Sequence, residues 1–132
     1  MFDRNNVGFI ENGRAKFAYD IADKIDDNLK DSFKSHVKSF PMLVKKNGLA
    51  AAISFLFSKK NKEKGVYKKV GNSIVEWLKE DGKYNYYNLE NLTDLKSLSK
   101  QIVQIDSSSY RALTIEIFAY FKWLRRFAEG LS

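Results

Sequence analysis

The sequence predicts an all-α protein: a single compact bundle of six or seven helices that ends in a long C-terminal helix. Apolar residues recur at helical spacing along nearly the whole chain, and Pro41 is the only proline. No segment alternates between apolar and polar residues in the way that favours a strand. Because 132 residues is the length of one domain, we expect 1–132 to fold as a single helical domain, with a flexible N-terminus over 1–11.

The stretch from Ser109 to Leu131 is the densest concentration of apolar, aromatic and arginine residues, and it predicts the long helix, capped by Asp106 or Ser107. At about 100° per residue, most of its apolar side chains gather on one broad face, which indicates a core stripe. Because the opposite sector mixes cations with large apolar residues, we expect it either under another helix or against a neighbouring subunit. That sector contains Arg111, Ile115, Phe118, Lys122, Arg125 and Arg126.

The first half of the chain predicts three shorter helices. Asn12 is expected to cap the first, which runs to about Asp27, and the second is expected over 28–39. Pro41 lacks an amide proton and restricts the residue before it, so we expect a break or kink there. A separate short helix over 42–47 is expected to follow.

Gly48 is expected to end that short helix in a left-handed conformation. Leu49 then begins an alanine-rich, largely apolar helix that is expected to be buried. The remaining pattern indicates a charged loop over 58–65, a helix from 66 that Gly82 closes, a stretch without clear periodicity over 83–91, and a helix over 92–105.

Charge is concentrated in the middle of the chain. The net charge is +7, yet residues 32–70 alone hold ten lysines and one glutamate. Such a concentration favours a polyanionic partner, although a lysine-rich surface that only confers solubility is an open alternative. The absence of cysteine fits a cytoplasmic location, and the longest apolar run, 49–57, is too short to span a membrane.

The residue types needed for catalysis are present but not grouped. Asp20, Asp23 and Asp27 have helical spacing, which is more typical of a solvated face than of a metal site. His36 is the only histidine, so it cannot belong to a multi-histidine metal site, and no motif supports a catalytic triad. No glycine pattern indicates a nucleotide loop. We therefore expect no enzyme activity, metal, cofactor or small-molecule substrate.

The C-terminal run YRALTxExxAxxxWLRRxA resembles the signature of the small, all-helical subunit of the Cmr-type (type III-B) CRISPR effector complex. The blocks GRAKFAYDIADKI and PMLVKKNGLAAAISFLFSK are similar to that family in the same order and at similar spacing. The resemblance covers most of the chain, although 61–108 adds little to it. It implies a non-catalytic subunit that stacks in a minor filament beside the backbone and large polymerase-like subunits and further copies of itself.

The same resemblance implies contact with the guide RNA and its target through basic residues in or beside the matching blocks. For Arg111 and Arg126, an ion pair with Glu116 or Glu129 on the same helix, or packing of the arginine stem on an aromatic side chain, is an open alternative. Ile115 and Phe118 are the candidate residues for a partner interface. The candidate RNA-binding residues are Lys45, Lys46, Lys59, Lys60, Arg111, Lys122, Arg125 and Arg126.

Two other functions stay open at this point. A protein-only assembly module would use the apolar patches for partner subunits, and its lysines would only confer solubility. A weaker alternative is a helix-turn-helix DNA regulator built on the helices around Gly48. Because residues 50–57 offer almost no polar side chains to a groove, a core hairpin of two helices is favoured there.

Overall fold

A computed structural model describes residues 13–132, and within this range the regular secondary structure is helical, without strands. The prediction of an all-α bundle with a long C-terminal helix is confirmed. The expected flexible segment 1–11 and the expected cap Asn12 lie outside the described residues. The α-helices are α1 (Arg14–Lys24), α2 (Lys30–Asn47), α3 (Leu49–Ser58), α4 (Val66–Lys79), α5 (Leu95–Ile102) and α6 (Ser107–Leu131).

Helix α2 continues through Pro41, so the predicted break and the separate short helix over 42–47 are wrong. A proline inside a helix removes one hydrogen bond and costs about 3 kcal/mol or more. Phe40 and Val44 lie on the two sides of Pro41 and are both buried. Each contributes roughly 1.5–3 kcal/mol on burial, so the apolar stripe that continues across the proline offsets its cost.

Gly48 ends α2, as predicted, and at the same time precedes the first residue of α3. Its φ of 91° is positive, which favours glycine, but its ψ of 161° is extended rather than left-handed helical. The Gly48 amide donates to the Val44 carbonyl at 2.8 Å, and its own carbonyl accepts from the Ala52 amide at 3.1 Å. One residue therefore satisfies backbone groups at the ends of two helices.

Other boundaries differ from the sequence pattern by a few residues. Helix α1 ends at Lys24 rather than near Asp27, and α5 is shorter than the predicted 92–105. The Asp94 carboxylate accepts the Ser97 amide at 2.9 Å and begins α5 at a residue that periodicity alone does not single out. A 3-10 segment, Glu80–Tyr87, overlaps the first part of the stretch without periodicity.

The core is organised around α6, which packs most extensively against α1 and α2. Phe40 of α2 stacks on Phe121 with ring centroids 4.9 Å apart. Trp77 of α4 stacks on Tyr120 at 5.5 Å with nearly parallel planes. Most of the predicted core stripe of the C-terminal helix is buried in this way: Leu113, Ile117, Tyr120, Phe121, Leu124 and Ala128.

Gly71 permits the close approach of α4 and α5, since an added Cβ would lie 2.6 Å from Leu95 Cδ2. A Cβ added at Gly130 of α6 would meet open space. Both Gly→Ala changes gain helix propensity, but only the methyl at 71 overpacks the core. We expect Gly71→Ala to be less stable than Gly130→Ala by about 1–3 kcal/mol in urea unfolding. Equal stabilities would contradict the tight contact.

Candidate functional site

Glu116 lies on the buried face of α6 and joins three other segments to it. Arg14 of α1 donates to both carboxylate oxygens, with Nε at 2.8 Å from Oε2 and Nη2 at 2.6 Å from Oε1. The indole of Trp77 in α4 donates to Oε2 at 2.8 Å. The Tyr87 hydroxyl donates to Oε1 at 3.4 Å. These hydrogen bonds therefore fix the orientation of α6 about its own axis relative to α1, α4 and the 3-10 segment Glu80–Tyr87.

The charge on Glu116 is maintained in spite of its burial. Burial alone raises the pKa of this carboxyl, but the hydrogen bonds from Arg14 and Trp77 outweigh burial and hold the pKa below its ordinary value of 4.5. The pKa of Tyr87 moves to about 12, because its hydroxyl is partly buried and lies beside the Glu116 charge. The Tyr87 hydroxyl is thus a stable donor at neutral pH.

The first turn of α6 is attached to two other parts of the fold. Asp106 caps the helix, as one of the two predicted alternatives, by accepting the Ser109 amide at 3.0 Å. Hydrogen bonds from Ser109 and Asn88 lower the pKa of Asp106 to about 2. The Tyr110 hydroxyl accepts the Ala50 amide at 2.8 Å, which gives the first turn of α3 an acceptor. The tyrosine of the C-terminal motif therefore has a structural role.

The opposite side of α6 faces solvent, and we refer to it as the outer face: Arg111, Ile115, Phe118, Lys122, Arg125 and Arg126. Ile115 is 69% exposed, so of the two alternatives for this sector, cover by another helix of the domain does not hold for Ile115. Phe118 is half-buried, and the Lys45 ammonium lies 5.9 Å from the centre of its ring. The end of α2 therefore adds Lys45 to this face, and Lys46 beside it is also exposed.

Cations surround an aromatic ring at the C-terminal half of the outer face. Lys122 Nζ and Arg126 Cζ each lie 5.5 Å from the centre of the Trp123 ring. Arg125 pairs with Glu129 at 3.6 Å. The expected alternative of an ion pair is wrong for both arginines, because Arg14 binds Glu116, and the ion pair at Glu129 is formed by Arg125 rather than Arg126. The expected alternative of packing on an aromatic side chain is found for Arg126, which lies against Trp123.

Lys59 and Lys60 lie apart from the outer face, at the opposite end of α3 from Lys45 and Lys46. A helix of this length separates the two pairs by about 15 Å. The Lys59 ammonium lies 5.8 Å from the centre of the Phe55 ring, and that of Lys60 lies 4.5 Å from the centre of Phe57. The structure thus divides the predicted RNA-binding residues into two groups.

Two of the candidate catalytic and metal-binding residues, Asp20 and His36, have side-chain partners. Asp20 accepts from Lys16 at 3.0 Å, and His36 shares a hydrogen bond with Glu63 at 3.1 Å. Within 13–132, no cluster of three or more His, Cys, Asp or Glu side chains has a geometry that could hold a metal ion. Over the same range, no helix is long and apolar enough to cross a membrane.

The sequence alone did not identify the pairing of Glu116 with Arg14. At about 100° per residue, Glu116 lies about 40° from Tyr120 on the apolar face of α6. A carboxylate within an apolar stripe indicates a buried cationic partner. The identity of that partner, 102 residues away in the chain, depends on the tertiary fold.

Comparison with known proteins identifies the family. The family model of the CRISPR-associated protein (Cas_Cmr5) matches residues 10–131, so the chain belongs to the Cmr5 family. The CRISPR system Cmr subunit Cmr5 of Thermus thermophilus is 26% identical over 102 residues, which cover 77% of this chain and 76% of that protein. The resemblance to the small subunit of the type III-B Cmr complex is therefore confirmed.

A solved structure supports the same assignment. The crystal structure of a CRISPR-associated Cmr5 family protein from Thermus thermophilus has a TM-score of 0.68 to this chain at 26% sequence identity. The alignment covers 89% of this chain and 93% of the other. Membership of the family implies assembly with other subunits of a Cmr complex.

Replacement of Glu116 by glutamine tests the buried network. We expect Glu116→Gln to lower the free energy of unfolding by about 3 kcal/mol at neutral pH, because the change removes the negative charge that Arg14 binds through two hydrogen bonds. A lowered folded-state pKa stabilises the fold at high pH, and this contribution disappears on acidification. The difference from wild type in urea unfolding should therefore shrink as the pH falls below 4.5.

Glu129→Gln is the matched control, since Glu129 is an exposed carboxylate on the same helix that also pairs with an arginine. An exposed pair contributes about 0–1 kcal/mol, so this variant should stay close to wild type. Equal losses for the two variants would contradict the assigned role of Glu116.

Proposed function

We propose that this chain is a non-catalytic, cytoplasmic subunit that contacts the guide and target RNA backbone through its basic surface. It would stack with further copies of itself in a minor filament, beside the backbone and large polymerase-like subunits of a Cmr complex. The contact of Lys45 with Phe118 carries the RNA part of the proposal. It joins two basic segments, which are far apart in the sequence, into one continuous exposed face.

The chemistry of this face fits a polyanion whose sequence is not read. Lysine is a flexible point charge that needs no fixed angle, and arginine adds donors suited to phosphate. From Arg111 to Arg126 the face extends about 22 Å along α6. The side chains of Lys45, Lys46 and Arg111 are exposed, so a phosphate or a partner's acidic residue can reach their charges from solvent.

The engagement of the titratable residues in structural contacts supports a non-catalytic role. Glu116 accepts from three donor side chains, and His36 is held between the Glu63 carboxylate and the Tyr67 ring at 4.2 Å. A general base needs a proton to abstract within hydrogen-bond reach of a substrate position. Both of these groups instead hold helices and turns together.

Charge reversal at the end of α2 tests RNA contact by the outer face. We expect Lys45→Glu with Lys46→Glu to weaken binding of a fully paired RNA and to reduce the slope of log K against log salt by about one to two. Filter binding at several salt concentrations measures both quantities. Lys96→Glu with Lys100→Glu, on exposed positions of α5, is the control with an equal change in charge. If the two double variants weakened RNA binding equally, net charge alone would explain the loss, and this result would contradict specific contact by the outer face.

A second role, binding of a partner subunit, is favoured by the exposure of Ile115 between cations. Exposed aliphatic side chains within a contiguous patch indicate a protein contact. Phe118 is half-buried beside it and adds an aromatic surface. RNA and a partner subunit need not exclude one another, because the cations extend on both sides of the apolar pair.

We expect Ile115→Asp to reduce co-purification with the other Cmr subunits and to change stability by no more than about 0.5 kcal/mol, because the side chain is exposed. Val103→Asp provides the control, since Val103 is 66% exposed and lies at the end of α5, outside α6. Native pull-down of the assembled complex is the measurement. Retention of Ile115→Asp at the wild-type level would exclude Ile115 from the interface.

A further inference from the structure

An aromatic cluster at the end of α3 is the second exposed feature that contains candidate RNA-binding residues. Phe55 is 39% exposed. Its ring centre lies 5.7 Å from that of Tyr67 in an edge-to-face contact at 82°. Because an edge-to-face pair covers at most one face of each ring, at least one face of Phe55 is not covered by Tyr67.

Hydrogen bonds fix the position of this cluster. The Tyr67 hydroxyl donates to Glu63 Oε2 at 3.1 Å, and Ser32 and His36 both contact Oε1 of the same carboxylate. The His36 ring, which belongs to α2, packs on the ring of Tyr67 in α4. Phe55 therefore rests against a side chain that is held from two sides, so little conformational freedom is lost when a ligand contacts it.

Positive charge is dense in the sequence that surrounds this cluster. Residues 57–70 contain six lysines and one acidic residue, Glu63, whose carboxylate is occupied by the hydrogen bonds described above. Lys59 lies one helical turn after Phe55, with its ammonium over the ring. By contrast, the exposed Tyr86 lines a groove with the carboxylates of Glu80 and Asp81.

We propose that Phe55 is a stacking platform for an unpaired nucleobase of single-stranded RNA, with Lys59 and Lys60 on the adjacent phosphates. The proposal rests on the proposed association with RNA and adds that one segment bound by this chain is unpaired. A base that enters displaces the Lys59 ammonium from the ring, and the flexible lysine stem can follow the phosphate of the same nucleotide. Stacking tolerates any base, because every base has a π-face.

Phe55→Leu tests the platform, because leucine keeps an apolar side chain at this position and removes the aromatic ring. The probe is a short single-stranded oligoadenylate that contains one 2-aminopurine, titrated with the full-length chain. We expect wild type to quench the 2-aminopurine fluorescence, and Phe55→Leu to bind about tenfold more weakly and to lose the quenching. Tyr86→Leu, at an 81% exposed tyrosine, should behave as wild type.

The same variants, titrated with fully paired RNA, separate this inference from the proposed function. Phe55→Leu should leave duplex binding unchanged, whereas the Lys45→Glu, Lys46→Glu pair should weaken it. Unchanged single-strand binding and quenching by a folded Phe55→Leu chain would overturn the platform, even if duplex binding persists. A loss of partner-subunit binding without any loss of RNA binding would also overturn it and assign Phe55 to a protein interface. Failure of wild type to bind either RNA would contradict both proposals.

Discussion

The Glu116 carboxylate, buried in the middle of α6, is the interaction on which the arrangement of the helices depends. Removal of a carboxylate from water costs several kcal/mol, and here the bidentate contact from Arg14 and the indole of Trp77 offset that cost. Because a rotation of α6 would break the hydrogen bonds that Glu116 accepts from Arg14 and Trp77, the network strongly favours one orientation. The stacked rings of Trp77 and Tyr120 then pack directly beside it.

In this orientation, some residues of the C-terminal motif face the core and others face solvent. Tyr110 and Glu116 point into the fold. The Tyr110 hydroxyl accepts a hydrogen bond from the amide of Ala50 at the start of α3, and the Glu116 carboxylate binds the side chain of Arg14. Arg111 and Arg126 point outward on the same helix. A single helix therefore stabilises the domain with one side and presents charge with the other. The end of α2 extends the outward side, since Lys45 contacts Phe118.

Periodicity and capping were sufficient to predict most of the helices, including the long α6 with its Asp106 cap, because those signals are local. They failed at Pro41, where burial of Phe40 and Val44 outweighs the local penalty. The pairing of Glu116 with Arg14 and the contact of Lys45 with Phe118 depend on helix packing between distant segments, which no local pattern encodes. For the same reason, the sequence could not separate Lys59 and Lys60 from the outer face.

We propose that the outer face of α6 is the surface used in assembly, whereas the inner face is held within the fold by the Glu116 network. Hydroxyl-radical footprinting of the isolated chain and of the RNA-loaded complex can distinguish the two faces, because it reports side-chain accessibility residue by residue. We expect Ile115 and Phe118 to become protected on assembly, whereas the exposed Val103 should not. Equal accessibility of Ile115 and Phe118 in the two states would contradict it.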